Sequence, residues 1–591
     1  MLFFYTDLQQ DAGMPRLSLL IPLLFLSGVS GYPKEAVVRD ETIFRTEHIF
    51  RPVTGLSGAI AAADRTAAEA ARAILEKGGN AVDAAVTTGF VLAVTYPRAG
   101  NIGGGGFMII HIAESGENLA LDFREVAPQA ATEDMFLDQD GNADPKKSRD
   151  SPLAVGVPGS VAGLLAAHER FGSLPLDELM APAIRLARDG MVVDQSFADD
   201  LARGILIGRL DSTARDQFTG DDGKPPQPGE KFRQPELADT LQRIADSGRD
   251  GFYTGPTARA IVNALREEGG IMTLKDLATY QPVWREPVQG QFRGHEIISM
   301  PPPSSGGIHL VQMLNLIENF PVSDWGLNST RYIHTVSEVM KRAYADRSKY
   351  LGDPGFADIP REQLLSEDYE QAVLARLDPD SPTPSRTIQP GLDGAFAEPD
   401  QTTHFSIVDK DGNAVSCTTT LNFSFGCGIM AKGAGFFLNN EMDDFSAKPG
   451  VPNAYGLIGG EFNKVEPGKR MLSSMTPTIV LKDGRVRIVT GSPGGSRIIN
   501  SVLQVVLNLI EFDLNAAEAV NSPRFHHQWL PDKLQLERGF PPEVLKALRA
   551  MGYDLEITYT IGSAQTVVHD AEGNLSAAGD PRRNGSTAVA F

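Results

Sequence analysis

Gln401 to Asn422 reads QTTHFSIVDKDGNAVSCTTTLN, and the rest of the chain can be read as support for it. The first half alternates, with Phe405 and Ile407 on one face and His404, Ser406 and Val408 on the other, ending at Asp409. That period of two predicts a strand. The return from Asn413 to Leu421 is rich in β-branched residues, and Lys410-Asp411-Gly412 between the two is turn chemistry. Two turns fit. A two-residue type I′ turn at Asp411-Gly412 sets Thr402 opposite Leu421; a type I turn over Lys410 to Gly412, with Gly412 left-handed, sets Thr402 opposite Thr420. The second is preferred because it brings a second hydroxyl across the ladder from the first.

A threonine hydroxyl attacks poorly until a base takes its proton, and no Lys or His is obviously spaced to serve Thr402. Cutting the chain before Thr402 supplies one. The freed α-amine, with an ordinary pKa of about 7.7 to 8, lies close to the optimum for general-base work. The segment leading to that point, Asp378 to Gln401, is poor in apolar residues and rich in Pro, Ser and Asp, which predicts a mobile surface segment.

The blocks NIGGGGFM, LDFREVAP, MPPPSSGG, YADRSKYLGDP, TTHFSIVDKDGNAVSCTTTLN, NNEMDDFSAKPGVPNAYG, LSSMTPTIV and GSPGGSR follow one another in this order from about Gly55 to the C-terminus. Together they resemble the γ-glutamyltranspeptidases, self-cleaving members of the N-terminal nucleophile hydrolases. The resemblance implies an α+β fold, a four-layer αββα sandwich with two central antiparallel sheets flanked by helices. It implies autocatalytic cleavage between Gln401 and Thr402 into a large subunit, about residues 31–401, and a small one, 402–591, held together as a heterodimer because both supply strands to one core.

By the same resemblance, Thr402 attacks the γ-glutamyl amide of glutathione or a related compound, and the acyl group passes to an amino acid, a peptide or water. Thr420 orients the hydroxyl, and the amides of Gly494 and Gly495 hold the oxyanion. Arg124, Ser473 and Ser474 bind the α-carboxylate, while Asn422, Glu441 and Asp444 receive the α-ammonium. Glu441 stands where some members carry glutamine, which should tighten the ammonium grip. Tyr455, in the Pro/Gly-rich loop Pro449 to Gly460, resembles a lid residue. No metal or cofactor is implied. A cephalosporin or glutaryl acylase on the same scaffold is the alternative enzyme, although the acidic pair Glu441 and Asp444 suits a donor with an α-amino group. A non-enzymatic exported binding protein is the alternative of another class, and it predicts a single uncut band on a denaturing gel.

The 54 basic and 75 acidic residues give a formal charge of −21. That excess argues against nucleic acid and against an anionic membrane surface, and an anionic substrate must be caught by local positive groups such as Arg124. Leu17 to Leu26 is a ten-residue apolar run, too short to span a bilayer but matched to the core of a secretory signal, with Gly28-Val29-Ser30 as its cleavage site. Asp7 and Asp11 do not suit the start of such a signal, so translation from Met14 is an alternative to Met1. The expected destination is the periplasm or the medium, without a lipid anchor. Cys417 and Cys427 are expected to be free buried thiols.

No linker or repeat divides the chain, which reads as one large body. Asp64 and Asn80 cap two helices. The glycines of Asn101 to Gly106 precede a strand and read as close backbone packing. Ala162–Arg170, Leu176–Asp189, Pro235–Asp246 and Thr257–Glu268 read as helices. Pro301 to Gly307 reads as a stiff turn into a helix, and Gly433 to Leu438 as a strand. His526-His527 lacks a third spaced ligand and reads as packing. The patterns HExxH, G-x-S-x-G and C-x-x-C do not occur, which removes common hydrolase and redox readings.

Overall fold

The structure, a computed structural model, describes residues 50–220, 222–388, 402–448, 460–570 and 572–591. The expected export signal, the cleavage residue Gln401 and the loop carrying Tyr455 lie outside the described residues.

The hairpin takes the second of the two turns. Asp409 and Asn413 close a three-residue loop, with Gly412 at φ +87°, in the left-handed region that suits a residue without a Cβ. Pairing runs from Thr403 opposite Thr419 to Val408 opposite Ala414, and the same register sets Thr402 opposite Thr420. Asp409 fixes this turn and something beyond it. Its Oδ1 accepts the Asp411 and Asn413 amides at 2.9 and 3.0 Å, and its Oδ2 accepts the Ala81 amide of a neighbouring helix at 2.9 Å.

Two antiparallel sheets of seven strands form the centre. Before residue 402 the chain supplies β1 (Val53–Gly55), β2 (Gly58–Ala62), β3 (Gly105–Ile112), β4 (Glu117–Asp122), β5 (Val283–Arg285), β6 (Val288–Phe292) and β7 (His295–Ser299). After it come β8 (Thr403–Asp409), β9 (Ala414–Thr420), β10 (Thr478–Lys482), β11 (Arg485–Gly491), β12 (Gln565–His569), β13 (Leu575–Gly579) and β14 (Thr587–Ala590). One sheet runs β14-β2-β8-β9-β3-β4-β5 and the other β1-β13-β12-β11-β10-β7-β6. Each therefore interleaves strands from both sides of residue 402.

Helices α1 (Arg65–Glu76) and α2 (Ala81–Thr95) lie on the first sheet, and α3 (Gln195–Leu206) adds Phe197 and Leu201 to the same core. On the second sheet lie α4 (Gly306–Glu318) and α6 (Arg497–Ile510), with α5 (Thr330–Tyr350) packed beside α4. The result is the four-layer sandwich, and its alternation is that of the hairpin. Phe405, Ile407, Val415 and Cys417 join the core under α1 and α2, while Val408 and Ala414 join the core shared with the second sheet. Burying an apolar side chain of the larger sizes contributes roughly 1.5–3 kcal/mol. The space between the sheets is partly polar and hydrogen-bonded. Ser416 Oγ donates to Thr490 O and accepts the Thr478 amide, both at 2.9 Å, and Ser406 Oγ donates to Gln565 O at 2.9 Å.

The caps are as the sequence predicts. Asp64 Oδ1 accepts the Ala67 amide at 2.9 Å, and Asn80 and Asp83 form a reciprocal capping box. The glycine run packs against backbone: a Cβ on Gly103 or Gly104 would come within 2.0 Å of Phe437 O or Thr420 O. Cys417 and Cys427 are buried and free. Asn500 and Gln528 hold the His526 ring at 2.8 and 2.9 Å, as packing requires.

One expectation is corrected and another is narrowed. Gly433–Leu438 is not a strand, because Gly433 and Gly435 take φ +80° and +79° and fold it into a loop that bonds back on Ile429 and Ala431. Asp378 to Ile388 lies largely at the surface, as expected, but it is tethered there. His334 Nε2 bonds Asp378 O at 2.8 Å, Lys341 Nζ donates to Thr383 O at 3.0 Å, and the Ser385 amide and hydroxyl donate to Asp532 at 2.8 and 2.6 Å.

Candidate active site

Thr402 is only 5 % exposed, although it stands at the end of β8. The strand period puts it on the face of His404 and Ser406, toward the second sheet, and Arg583 Nη1 donates to its carbonyl at 2.5 Å. His404 is the nearest titratable ring on that face, and it is fully committed. Ser406 spends its proton on Gln565 O, so its oxygen accepts from His404 Nε2 at 3.0 Å, and His404 Nδ1 accepts the Thr418 hydroxyl at 2.8 Å. Burial pulls the ring down to about 3, so it stays neutral. The missing base is therefore still missing. Across the ladder, Thr420 Oγ1 accepts the Asn422 amide at 2.7 Å.

Gly491, at the end of β11, packs on the His404 ring so closely that a Cβ there would come within 2.3 Å of it. His404 is two residues from Thr402, about 6–7 Å along a strand, which brings the following turn level with Thr402. In that turn Gly494 and Gly495 take φ +141° and +55° and lead into α6. Among the described residues neither amide has an acceptor. They are unspent donors at the positive end of a helix dipole.

Strand register carries the site sideways. Thr402 faces Thr420, Thr420 pairs with Gly105, and the β3–β4 register places Arg124 opposite Gly105, so all four lie in one row across the sheet. Arg124 is fully buried. Its Nη1 pairs with Glu441 and its Nη2 with Asp444, while Nη2 also donates to Leu472 O at 3.2 Å and Nε to Met471 O at 3.4 Å. The turn that carries the two carboxylates is pinned by its asparagines. Asn439 Nδ2 donates to Gly103 O and Gly156 O at 2.9 and 2.8 Å, Asn422 Nδ2 donates to Asn440 O at 3.0 Å, and Asn440 Oδ1 accepts the Phe423 amide at 3.1 Å.

A third carboxylate, Glu125, completes the cluster 3.8 Å from Arg124. Both Glu125 oxygens and Glu441 Oε2 are buried without a hydrogen-bond partner among the described residues. Burial pushes Glu125 up to about 8 and Glu441 well above the usual carboxylate range, against the pull of Arg124. One cation faces three acids, and a further cation would be welcome there. Beside them, Ser473 Oγ accepts the Met475 amide at 3.1 Å and Ser474 Oγ accepts from Arg347 Nη2 at 2.9 Å, which leaves each hydroxyl a proton to donate. The Pro301–Gly307 turn supports this pair, with the Ser305 amide and hydroxyl both donating to Ser473 O at 2.8 Å.

Residues 67–590 match the family model for γ-glutamyltranspeptidase. The chain belongs to the γ-glutamyltranspeptidase family. It is 50% identical over 539 residues to the glutathione hydrolase proenzyme of Escherichia coli K12, covering 91% of this chain and 92% of that protein. It is 48% identical over 536 residues to the glutathione hydrolase proenzyme of Pseudomonas aeruginosa, covering 89% and 94%. Among solved structures, the cephalosporin acylase from Bacillus halodurans aligns with a TM-score of 0.79 at 27% identity, over 93% of this chain and 99% of that one.

In this γ-glutamyltranspeptidase the residues singled out in the sequence converge. Thr402, Thr420 and Arg124 share the row described above, Asn422, Glu441 and Asp444 lie on mutually bonded loops, and Ser473 and Ser474 flank Arg124 through Met471 and Leu472. Sequence reasoning missed Glu125, Arg347, Asn440 and Arg583. Glu125 had a signal, its place directly after Arg124; Arg583 had none, being 181 positions from Thr402. Among the described residues no three His, Cys, Asp or Glu are grouped to hold a metal ion.

Proposed function

We propose that this chain is an exported precursor that cuts itself between Gln401 and Thr402 and then acts as a γ-glutamyltransferase and glutathione hydrolase. The hydroxyl of Thr402 attacks the Gln401 carbonyl, an N-to-O shift gives an ester, and water releases it, leaving fragments of about residues 31–401 and 402–591. The new α-amine is the base that His404 cannot be. In the mature enzyme Thr402 attacks the γ-glutamyl amide, its amine carries the proton to the departing amine, and the resulting ester passes to an amino acid, a peptide or water. The Gly494 and Gly495 amides hold the oxyanion, each such donor being typically worth about 2.7–4 kcal/mol of barrier.

The observation that carries this reading is the row linking Thr402 and Thr420 to the buried Arg124 cluster. An α-amino acid head is a zwitterion. Arg124 with the Ser473 and Ser474 hydroxyls suits its carboxylate, and Asn422, Glu441 and Asp444 suit its ammonium. Tyr455 acts as a lid that keeps water from the acyl-enzyme. Export to the periplasm or the medium rests on the apolar run Leu17 to Leu26, and no helix among the described residues is long and apolar enough to cross a membrane.

On a denaturing gel the purified protein gives two bands, and N-terminal sequencing of the smaller begins at Thr402. Thr402→Ala gives one band and no turnover. An uncut protein that still splits glutathione would end the proposal. The acylase alternative is separated by comparing γ-glutamyl with glutaryl anilides, since a glutaryl group leaves Glu441 and Asp444 without their ammonium.

A further inference from the structure

The departing half of glutathione is a dipeptide that ends in a carboxylate, about 7 Å beyond the scissile nitrogen at the length of two extended residues. The −21 charge of the chain repels it. Two cavities border the Thr402 end of the sheet. One, of about 490 Å³, is lined by Arg583, the residue that bonds Thr402 O. The other, of about 820 Å³, is lined by Phe423, three residues after Thr420 and so at most about 11 Å along the chain from it. Arg98, Asp200 and Arg203 line both. These three form the junction.

The cations around the junction are mostly committed. Arg98 pairs with Asp200, Arg149 and Arg209 both pair with Asp150, and Arg583 is held by Thr402 O. Arg203, exposed on α3, has no ion pair or hydrogen-bonding side-chain partner among the described residues. Three acids around it have no ion pair among the described residues: Asp199, which lines the smaller cavity, and Asp211 and Glu268, which line the larger. At the junction itself two cations, Arg98 and Arg203, face one acid, Asp200, which Arg98 already pairs, so a carboxylate there meets Arg203 as the remaining cation.

We propose that Arg203 is a specificity residue for the leaving and accepting side of the reaction, receiving the terminal carboxylate of the departing dipeptide and of peptide acceptors. This rests on the γ-glutamyl reading of the site. It predicts that Arg203 distinguishes donors by their leaving group, because an aryl amine without a carboxylate has nothing to offer it.

The test compares kcat/KM for glutathione with kcat/KM for γ-glutamyl-p-nitroanilide in the processed enzyme and in Arg203→Ala, Arg203→Glu and Arg203→Lys. The ratio of glutathione to nitroanilide falls about fivefold in Arg203→Ala and further in Arg203→Glu, through KM, and Arg203→Lys brings it back to within about twofold of the native value. A ratio that stays put, or a matching loss of kcat with both donors, overturns the inference. If the unsubstituted protein turns over neither donor, the γ-glutamyl reading fails first and the inference with it, an outcome visible before any variant is made.

Discussion

Two buried ionic clusters in this molecule use the same residue types to opposite ends. Around Arg524 and Arg582 two cations meet two acids, and all four carboxylate oxygens of Glu537 and Asp580 are taken. Glu537 accepts the Ile561 and Arg524 amides and both arms of Arg582; Asp580 accepts Arg524 Nη2 at 2.7 Å and the Ala564 amide at 2.8 Å, and its other oxygen accepts the Arg582 amide and Nη1 at 3.0 and 3.1 Å. Burial pushes Asp580 up, but the two arginines pull harder and hold it below the usual range. Around Arg124 one cation meets three acids, three oxygens have no partner, and the carboxyls of Glu125 and Glu441 are pushed up. The cluster whose carboxylates are saturated is scaffold. The unsaturated one keeps three buried carboxylate oxygens that a cationic group of a ligand would satisfy.

The sharpest way to break this comparison is to remove each arginine in turn. Arg524→Ala should cost about 3–5 kcal/mol of stability, because it takes one of two cations from a buried Asp580 and leaves Arg582 as the other, and chemical denaturation reads that loss directly. Arg124→Ala should instead lower kcat/KM for γ-glutamyl donors by about 10²–10⁴-fold, the worth of two charge-assisted bonds at roughly 1.5–3 kcal/mol each. If Arg124→Ala mainly unfolds the protein and spares turnover, the two clusters do not differ in kind. Next in size is Glu441→Gln, which keeps the shape and removes one anion: KM for glutathione should rise about threefold to tenfold with kcat within about twofold.

The smallest expected effect concerns pH. Glu125 has a folded pKa of about 8, raised from 4.5, so the stability it contributes is fully present below about 4.5 and is lost as pH rises through about 8. Glu125→Gln should flatten the decline of Tm between pH 5 and 9. A decline of unchanged slope would place the cost elsewhere.

Local chemistry made part of this legible. The turn at Lys410–Gly412 is written in neighbouring residues, which narrow it to two forms, and the register of the folded hairpin selects the one that pairs Thr402 with Thr420. The caps at Asp64 and Asn80 and the close packing of Gly103 and Gly104 are local in the same way. Illegible features are those decided by distant partners. Asp378 to Ile388 reads as surface because its composition is polar, and it is largely exposed, yet its tethers to Lys341 and Asp532 come from residues far away in the chain. The run Gly433–Leu438 reads as a strand because its apolar residues outweigh two glycines, whereas the glycines decide the backbone. The family's residue roles were legible only through resemblance: nothing in an isolated DFRE predicts that Arg124 is fully buried beside Glu441, 317 positions away.

In the first sheet β2 is clasped between β14 and β8, and β3 lies beside β9; in the second, β1 adjoins β13 and β7 adjoins β10. Five seams therefore join polypeptide from opposite sides of residue 402. Neither half has a complete sheet of its own to template, so a gene split at that codon would yield two polypeptides that must find each other while still unfolded.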